Sequence, residues 1–592
     1  MGGKTPAGEG PSATSAGYFF LAIQVPSFFL SYAALARLHP RCPRYHALIS
    51  VIDEVLGRTY TAYVISEVAL SEALRRYWGF DAFRPLQKSI VQGLVEGRDT
   101  CVVMPTGGGK SLCYQLPAAL LAGQTTIVIS PLIALMQDQV AQLTQMGIAA
   151  ALLNSSVAAN EQTRVMRNAS AGAYRLLYLS PERLARADTA AWLQQIPISF
   201  FAIDEAHCIS EWGHEFRPEY RQLSSLRKQF PDRPIAAFTA SATQRVRHDI
   251  VEQLRLRDPH KCIASFHRPN LRYVVKQCEA RTQEGLLVAA IRTYRDSNVI
   301  VYASTIARVE ETVDFLEEQK ISAIGYHGKM DPSTRRRNQE LWMADDVRVL
   351  VGTLAFGLGI NKAAVRAVIH LSLPKSIEQY YQEAGRAGRD GLPADCVLLW
   401  QKRDASLLTY FIGQIDDAEE KKRAWQRYDE IRGFVESAEC RHRRICAHFG
   451  EHPKWKSCGA CDICGSEPDW LAAPDAAKAP KRNQASMRTC READSAKRKP
   501  KERNVLLGAD AELRECLREW RRTAAKHQGV PAFVVMHDTA LDELCRVRPT
   551  SLSELLRVHG FGERKVELYG EQIVGVVSRF RRRVAVAGFG GS

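Results

Sequence analysis

Short apolar runs alternate with longer amphipathic segments from about Ser66 to residue 402. A first series of such runs lies at Thr100–Met104, Thr125–Ile129, Arg175–Leu179, Phe200–Ile203 and Ile235–Phe238. A second series lies at Asn298–Tyr302, Ala323–Tyr326, Val347–Val351, Ala367–Leu371 and Cys396–Leu399. Each run has the length of a buried strand and the intervals suit helices, so the pattern predicts parallel sheets of the α/β class. We therefore expect two tandem α/β lobes.

The pattern changes after about residue 402, where the strand-like runs stop and the chain becomes helical and charged. Residues 474–504 contain ten Lys or Arg and four Asp or Glu, a net charge of 10 − 4 = +6, with almost no large apolar side chains. Such a segment cannot bury enough surface to fold alone, which indicates a solvated linker. Helical periodicity returns from Ala509 to about Arg579, as at Leu513 and Leu517, and predicts a small helical domain.

The composition is that of a globular protein with an anionic partner. Of the 592 residues, 46% are hydrophobic and 24% are charged, which excludes a wholly disordered or fibrous chain. Lys and Arg number 80 against 65 Asp and Glu, so the formal net charge is 80 − 65 = +15. This excess favours a polyanionic partner, nucleic acid first, over the alternative of a basic protein that is merely soluble.

The segment Gly17–Ala36 differs from the rest of the chain, whose features indicate an intracellular protein. It carries no charged residue over 20 positions, enough to span a bilayer, and Ala34-Leu35-Ala36 resembles a signal-peptidase site. Pro26 interrupts it, however, and most of the 15 cysteines are scattered, as in reduced compartments. We therefore expect residues 1–65 to be an extension outside the core, and a membrane or signal segment at 17–36 is the less favoured alternative. The expected location is cytoplasmic, and nucleoid-associated in a bacterium.

A glycine-rich turn follows the first apolar run. The sequence Val102-Val103-Met104-Pro105-Thr106-Gly107-Gly108-Gly109-Lys110-Ser111 passes from a strand into the start of an amphipathic helix. The backbone N–H groups of such a turn and the helix N-terminus can hold phosphate oxygens. Lys110 would then reach the β- and γ-phosphates of ATP, and Ser111 would be a ligand of Mg²⁺. Met104 stands where the usual pattern has Gly or Ala, so only the GGGKS core matches.

Two further signals complete an ATPase site. The apolar run Phe200–Ile203 ends in adjacent carboxylates, of which Asp204 is placed to hold the Mg²⁺ shell and Glu205 to orient or deprotonate the attacking water. Arg386 and Arg389 are three residues apart and would face the γ-phosphate from the second lobe, where they would stabilise transition-state charge. The alternatives are a solvated strand end and an exposed basic helix.

Cys458, Cys461 and Cys464 form a closely spaced cluster. Together with a cysteine upstream they fit a structural Cys₄ Zn²⁺ site, since four thiolates leave no open position for catalysis. Cys440 and Cys446 are both candidates for the fourth ligand.

The motifs and their order along the chain resemble those of superfamily 2 helicases of the RecQ family. The resemblance covers about residues 70–466 and about residues 510–578. Tyr77–Gln87 (YWGFDAFRPLQ) is similar to the family's motif 0, which implies that Gln87 reads the adenine edge and that Arg84 supports the base site. Asp204 to His207 resembles the DEAH box, which adds His207 to the catalytic set, and Cys440 suits the family's zinc spacing. Further motifs are matched by Ser130–Gln139, Thr239–Ala242, Tyr302–Thr305, Val351–Lys362 and Gln379–Gly391.

The segment Ser210–Pro218 (SEWGHEFRP) resembles the family's aromatic-rich loop. Trp212 and Phe216 offer stacking faces for single-stranded bases, and Arg217 offers a phosphate or stacking contact. Because the loop closely follows Asp204, DNA contact there can be coupled to the nucleotide site. The alternative is that Trp212 and Phe216 are core residues.

The C-terminal segment resembles the helicase-and-RNase-D C-terminal (HRDC) domain at Gly529–Val535, Arg548–Ser551 and Val558–Gly562. The resemblance implies a small helical module that binds nucleic acid or modulates its binding. RecQ helicases commonly carry a winged-helix domain before it, and the basic linker here leaves no chain for one. That domain often supplies the strand-separating wedge, so the mode of duplex separation is open, and phosphate contacts of the linker are a partial substitute.

The fold class is therefore α/β, with two RecA-like parallel-sheet lobes, a helical zinc-binding module and a small all-α C-terminal domain. The expected division is an extension at 1–65, an ATP-binding lobe at 66–265, a second lobe at 266–402, a zinc-binding module at 403–466, a basic linker at 467–508, the HRDC domain at 509–580 and a tail at 581–592.

The function implied by the resemblance is an ATP-dependent DNA helicase that moves 3′ to 5′ on single strands, with ATP, Mg²⁺ and structural Zn²⁺. The implied partners are single-stranded, tailed or forked DNA and, in DNA repair and recombination, single-strand-binding and repair proteins. One alternative is a DNA-stimulated ATPase or translocase that does not unwind efficiently because the winged helix is absent. A second is an RNA-directed unwindase. A third is a non-catalytic nucleic-acid-binding scaffold, and the intact Lys110, Asp204, Glu205 and Arg389 argue against it.

Overall fold

The computed structural model describes residues 65–154, 157–213, 215–353, 362–472, 508–530 and 532–588. The expected N-terminal extension with its apolar segment at 17–36, most of the basic linker and residues 589–592 of the tail lie outside these ranges. Within them, no helix is both long and apolar enough to cross a bilayer.

The first lobe is built on a parallel sheet that has seven strands among the described residues, in the order β3-β4-β2-β5-β6-β1-β7. The strands are β1 Thr100–Val103, β2 Thr125–Ile129, β3 Ala150–Leu153, β4 Leu176–Leu179, β5 Ile198–Ile203, β6 Ile235–Thr239 and β7 His260–Ile263. Neighbouring side chains such as Val102 and Val103 enter two different apolar clusters, one on each face of the sheet. Burial on both faces explains why the central strands are almost uniformly apolar.

Helices connect these strands and cover both faces of the sheet. They are α1 Glu67–Ala73, α2 Gln87–Val95, α3 Lys110–Leu120, α4 Ile133–Gln145, α5 Ala159–Ser170, α6 Pro181–Leu184, α7 Ala187–Leu193, α8 Leu226–Gln229 and α9 Gln244–Gln253. Two segments with 3₁₀ geometry, Ala206–Ile209 and Pro218–Ser225, flank the aromatic-rich loop.

The second lobe repeats this design on a parallel sheet in the order β10-β11-β9-β12-β13-β8. Its strands are β8 Leu271–Gln277, β9 Asn298–Tyr302, β10 Ala323–Tyr326, β11 Val349–Gly352, β12 Val365–His370 and β13 Ala394–Trp400. Its helices are α10 Ala280–Thr293, α11 Ile306–Glu318, α12 Pro332–Met343 and α13 Ile377–Ala384. The two parallel sheets confirm the predicted α/β class and the two lobes.

All ten predicted runs form strands, but three strands have no counterpart in the prediction: β3, β7 and β8. Each of the three lies at the edge of a sheet. An edge strand is buried on fewer sides, so its sequence can keep polar residues, as the exposed Lys261 in β7 and the half-buried Arg272 in β8 illustrate. The apolar runs that predict central strands are therefore interrupted in β7 and β8, whereas β3 has the uniformly apolar sequence AALL and is not explained in this way.

The described chain beyond Trp400 is helical, as predicted. The zinc-binding module contains α14 Lys402–Gly413, α15 Ala418–Glu436 and α16 Arg441–His448. The C-terminal domain contains α17 Gly508–Gln528, α18 Ala532–Val535, α19 Asp538–Val547, α20 Leu552–Leu555 and α21 Glu563–Gly588. These last helices enclose an apolar cluster of their own, centred on Leu517, Leu544 and Ile573.

The C-terminal domain contacts both lobes. His559 stacks on Phe80 of the first lobe with ring centroids 4.3 Å apart. Arg518 donates to the Ala344 carbonyl of the second lobe at 2.7 Å and lies 3.5 Å from the Asp345 carboxylate. The helix-linking turn at Gly560–Gly562 also lies against the first lobe, because a Cβ at Gly562 would be 2.3 Å from the Arg76 carbonyl.

A buried carboxylate fixes the start of β1, the strand that leads to the glycine-rich turn. The Asp99 side chain is 1% exposed and forms an ion pair with Arg227. It also accepts hydrogen bonds from the backbone N–H groups of Ile235 at 2.9 Å and Arg257 at 2.7 Å. One side chain thereby ties the entry of β1 to β6 and to the segment before β7.

Replacing Asp99 with Ala should destabilise the first lobe by about 3–5 kcal/mol, because Arg227 and two backbone N–H groups lose their buried partner. Asp81→Ala is the matched control, since the Arg75–Asp81 pair is 72% and 73% exposed and should contribute about 0–1 kcal/mol. Urea denaturation followed by circular dichroism measures the difference. Equal losses in the two variants would contradict this role of Asp99.

Candidate functional site

The glycine-rich turn joins β1 to α3 and contains two glycines in a backbone conformation that other residues rarely adopt. Gly107 and Gly109 both have a φ of 84°, in the left-handed region. A Cβ at Gly107 would lie 3.3 Å from Arg389 Cγ, and one at Gly109 would lie 2.3 Å from Gln87 Nε2. The turn is therefore held between a first-lobe glutamine and a second-lobe arginine.

Lys110 and Ser111 begin helix α3 directly after this turn. The Lys110 ammonium donates to the Met104 carbonyl at 3.2 Å, and the Ser111 hydroxyl accepts from Gln139 Nε2 at 3.4 Å. Burial lowers the pKa of Lys110, while the carboxylates of Glu205 and Asp204 oppose that shift. The lysine therefore lies within electrostatic reach of the predicted Mg²⁺-binding carboxylate.

The two residues assigned to the adenine site contact the same turn. Arg84 Nη1 donates to the Gly107 carbonyl at 2.6 Å. Gln87 Nε2 donates to the carbonyls of Gly108 and Gly109 at 3.3 and 3.2 Å, and its Oε1 accepts from the Arg84 N–H at 2.9 Å. Motif 0 therefore lies against the phosphate-binding turn, so an adenine held by Gln87 would adjoin its own phosphates.

The paired carboxylates follow strand β5 as predicted. Asp204 accepts from the Glu205 N–H at 3.1 Å and from the Ser130 hydroxyl at 3.5 Å. Burial, with a contribution from Glu205, raises the pKa of Asp204 to about 7, and Lys110 opposes the shift. Glu205 has a φ of 47°, which is strained for a residue with a Cβ and is typical of functional positions.

His207 lies between the carboxylate pair and the aromatic-rich loop. Its Nδ1 is 3.0 Å from Thr239 Oγ1 and 3.3 Å from Glu205 Oε2, and its Nε2 is 3.9 Å from Glu215 Oε2. Burial opposes protonation, but the Cys208 thiol and the two carboxylates outweigh it and raise the pKa of His207. The ring therefore connects Glu205 to Glu215 inside the protein.

Arg386 and Arg389 lie in the turn that follows the end of α13. Arg386 is buried, and the aliphatic part of Arg389 packs on Gly107 of the other lobe. Burial, with Arg386 and Arg268 nearby, lowers the pKa of Arg389 to about 9, while Glu205 acts in the opposite direction. Arg389 thus faces the glycine-rich turn across the lobe interface, whereas Arg386 lies beside Tyr302 of its own lobe.

Arg268 also belongs to this interface, although the sequence gives no signal for it. Its Nη1 donates to the Thr106 carbonyl at 3.2 Å and its Nη2 to the Gly388 carbonyl at 3.0 Å. One side chain therefore bridges the phosphate-binding turn and the turn that carries Arg386 and Arg389. Gln382 makes a second bridge, donating to the Ser241 hydroxyl at 2.8 Å.

The two aromatic side chains of the aromatic-rich loop differ in their exposure to solvent. Phe216 is 37% exposed, which excludes a core position, whereas Trp212 is half-buried and packs on the edge of the first-lobe core. Arg245 and Arg423 lie 3.0 and 5.5 Å from the centre of the Trp212 ring. Arg217 begins the following 3₁₀ helix, with its N–H donating to the Cys208 carbonyl at 3.0 Å. His214 of the same loop lies outside the described residues.

The region similar to motif V is described only at its ends, because residues 354–361 lie outside the described ranges. Lys362 closes it and is almost completely buried. Its ammonium lies 2.5 Å from the Asp345 carboxylate and donates to the Trp342 carbonyl at 2.6 Å. This buried pair fixes the point where the chain re-enters the second sheet.

The cysteine cluster has the geometry of a metal site. The Sγ atoms of Cys440, Cys458, Cys461 and Cys464 all lie within 4.8 Å of one another, and those of Cys440 and Cys461 are 4.0 Å apart. Sulfurs around a tetrahedral Zn²⁺ with 2.3 Å bonds are about 3.8 Å apart, so the four thiols fit zinc. Cys446 lies outside this group, and burial raises its pKa to about 12.

The cysteine loop is anchored to the edge of the second sheet. Asp462 accepts from the Val275 N–H of β8 at 3.2 Å and pairs with the buried Arg441 at 3.0 Å. The Tyr273 N–H donates to the Ala460 carbonyl at 3.2 Å, and Tyr273 and Cys461 form a β-bridge. The zinc-binding loop therefore continues the second sheet beyond β8.

The two lobes carry a glycine-rich turn, a DEAH sequence and an arginine that faces the turn. This combination defines a class of nucleotide-dependent motor proteins, and the matches to protein families support the same class. Residues 84–250 match the DEAD/DEAH box helicase family and residues 282–391 match the helicase conserved C-terminal domain. Residues 402–465 match the RecQ zinc-binding domain and residues 510–577 the HRDC domain.

The chain belongs to the RecQ family. It is 34% identical to the ATP-dependent DNA helicase RecQ of Bacillus subtilis (strain 168), an alignment that covers 86% of this chain and 98% of that protein. It is 41% and 42% identical to the proteins of the same name from Haemophilus influenzae and Pasteurella multocida, over 68% and 67% of this chain. The matched regions span 65% and 62% of those two relatives.

The choice between the two upstream cysteines can be tested by metal content. Cys440→Ser should lower the zinc bound to purified protein well below about one atom per chain, because a three-thiolate site binds more weakly. Cys446→Ser is the matched control and should keep its zinc. Atomic emission spectroscopy measures both, and zinc loss confined to the Cys446 variant would reverse the assignment.

Proposed function

We propose that this chain is an ATP-dependent DNA helicase that moves 3′ to 5′ along single-stranded DNA. The observation that carries the proposal is the packing of Arg389 against Gly107 across the lobe interface, where Arg268 also joins the Thr106 and Gly388 carbonyls. The relatives named ATP-dependent DNA helicase support DNA as the substrate. The family resemblance supports the 3′ to 5′ direction of movement and tailed or forked DNA as substrates. It also supports a role beside single-strand-binding and repair proteins in DNA repair and recombination.

In this proposal, ATP binds where the two lobes face each other. Backbone N–H groups from Thr106 to Ser111 hold the phosphates, and the Lys110 ammonium leaves the Met104 carbonyl for the β- and γ-phosphates. Gln87 and Arg84 hold the adenine beside the turn that they already contact. Because Arg389 rests on Gly107, it needs only a short displacement to reach the γ-phosphate.

The site also suits a magnesium ion. The Ser111 hydroxyl and the Asp204 carboxylate provide the few hard oxygen ligands that Mg²⁺ takes from proteins, and phosphate oxygens and water supply the rest. When bound, Mg²⁺ neutralises charge on the phosphates. Glu205 then orients the attacking water and receives its proton, while Arg386 and Arg389 stabilise the charge that develops.

DNA contact is communicated to this site through the aromatic-rich loop. Trp212 offers a ring to a base, and Glu215 of the same loop lies 3.9 Å from His207, which in turn contacts Glu205. A loop displacement caused by base stacking therefore acts on the catalytic carboxylate through one imidazole ring. Hydrolysis and reopening of the lobes would move the strand in steps.

Strand displacement tests the proposed function directly. Wild-type protein with ATP should separate a duplex with a 3′ single-stranded tail, and should leave duplexes with a 5′ tail or no tail intact. Glu205→Gln should reduce ATP turnover by about 100-fold or more, because Gln cannot accept the proton of the attacking water, and should abolish displacement. Lys110→Ala should abolish turnover as well.

Each other outcome has a separate meaning. DNA-stimulated ATP hydrolysis without displacement would indicate a translocase whose wedge is missing or supplied by a partner. Stronger stimulation by RNA than by DNA would favour an RNA-directed unwindase. Turnover that survives in the Lys110 variant would place the nucleotide site elsewhere.

Trp212→Ala should keep the basal ATPase rate and lose most of its stimulation by single-stranded DNA. The reason is that the ring lies outside the phosphate-binding turn but offers a base-stacking surface, which contributes about 1–3 kcal/mol per base in such sites. Steady-state ATP hydrolysis with and without oligo(dT) measures the ratio. Unchanged stimulation would refute the coupling by this loop.

A further inference from the structure

The arginines around Trp212 have no part in the proposed ATP chemistry. Arg245, the second residue of α9, has its guanidinium carbon 3.0 Å from the centre of the Trp212 ring. At this distance the guanidinium rests on the face of the indole as a cation–π contact. A nucleic-acid base cannot stack on that face while the guanidinium occupies it.

A second arginine near the Trp212 ring is held in place by carboxylates. Arg423 of α15 lies 5.5 Å from the ring centre and is only 13% exposed. It is 3.0 Å from the carboxylate of Glu420 on its own helix and 3.7 Å from that of Glu211 in the aromatic-rich loop. Arg423 therefore ties the loop to the zinc-binding module and is itself fixed by two carboxylates.

Arg245 is held much less firmly. It is exposed, and within the described ranges no carboxylate lies within ion-pair distance of it. Its contact with Trp212 is therefore the interaction that a competing anion must break. A phosphate group is such an anion, because a guanidinium binds phosphate through paired N–H groups.

A cleft of about 350 Å³ opens beside the Trp212 ring, between the first lobe and the zinc-binding module. Its lining includes the guanidinium groups of Arg245, Arg423 and Arg427. The carboxylates of Glu378 and Glu430 also line it, but they flank His448 at 2.8 and 3.5 Å. The cleft thus offers an aromatic face and cationic groups together, the pair of features that single-stranded nucleic acid requires.

We propose that Arg245 gates the stacking face of Trp212. Without DNA its guanidinium covers the indole, and a single strand entering the cleft draws the guanidinium onto a phosphate while a base takes its place on the ring. This inference rests on the proposed function and specifies how the strand reaches the aromatic-rich loop. DNA binds only the fraction of molecules with an uncovered ring, so the gate lowers the apparent affinity.

If Arg245 gates the ring, removing this arginine should strengthen DNA binding at high salt rather than weaken it. The binding of fluorescent oligo(dT) over a range of salt concentrations measures this effect. Arg245→Gln removes both the ring contact and a phosphate contact, and salt screens the phosphate contact more strongly. At high salt the variant should therefore bind about two- to five-fold more tightly than wild type. The slope of log Kd against log salt should fall by about 0.7, the value of one phosphate on a single strand.

Three further variants isolate the gate. Arg245→Lys keeps a charge for phosphate but loses the planar stacking group, so it should bind more tightly with an unchanged salt slope. In a Trp212→Ala background, Arg245→Gln should only weaken binding, because no ring remains to be uncovered. Arg432→Gln is the control: this exposed arginine of α15 pairs with Glu436 and should leave binding unchanged.

The outcomes separate the gate from its alternatives and from the proposed function. Weaker binding of Arg245→Gln at every salt concentration would make Arg245 a plain phosphate contact and overturn the gate. Unchanged binding, or tighter binding that persists without Trp212, would also overturn it. Failure of the wild-type protein to bind oligo(dT), or to hydrolyse ATP faster in its presence, would count against the proposed helicase instead.

Discussion

The buried positive charge between the lobes is the constraint on which the rest of the site depends. Lys110 approaches from the first lobe and Arg389 from the second, with Arg268 bridging the two turns that carry them. Burial, together with the like charges of Arg386 and Arg268, lowers the pKa of Arg389 to about 9. A triphosphate supplies the negative charge that this arrangement calls for. Nucleotide binding and closure of the lobes are therefore favoured by the same electrostatics.

The strained Glu205 links this electrostatic site to the aromatic-rich loop. Its left-handed backbone persists because its neighbours over-determine it, Asp204 through a backbone hydrogen bond and His207 through its ring. Since Glu215 lies on the other side of His207, the loop that carries Trp212 is joined to Glu205 through one imidazole ring. In the proposed function, catalysis and nucleic-acid binding would therefore share a few buried side chains.

The zinc-binding module has a structural part that its cysteines alone do not suggest. The cysteine loop pairs with β8 through Tyr273 and Asp462 and covers the edge of the second sheet, which would otherwise expose unpaired backbone groups. Helix α15 of the same module reaches the aromatic-rich loop through Arg423. The module therefore stabilises the second lobe and positions a loop of the first.

The sequence by itself determined the parts of this protein that depend on local chemistry. Central strands must be continuously apolar, the phosphate-binding turn needs Gly107 and Gly109, and the thiols of a zinc loop need close spacing, so each leaves a readable pattern. Tertiary structure decided the edge strands β7 and β8 and the contacts of Arg268 and Arg245. An edge strand needs no continuous apolar run, and a single arginine carries no local pattern. What each arginine does follows from its partners, and those partners come from distant segments that only the folded chain brings together.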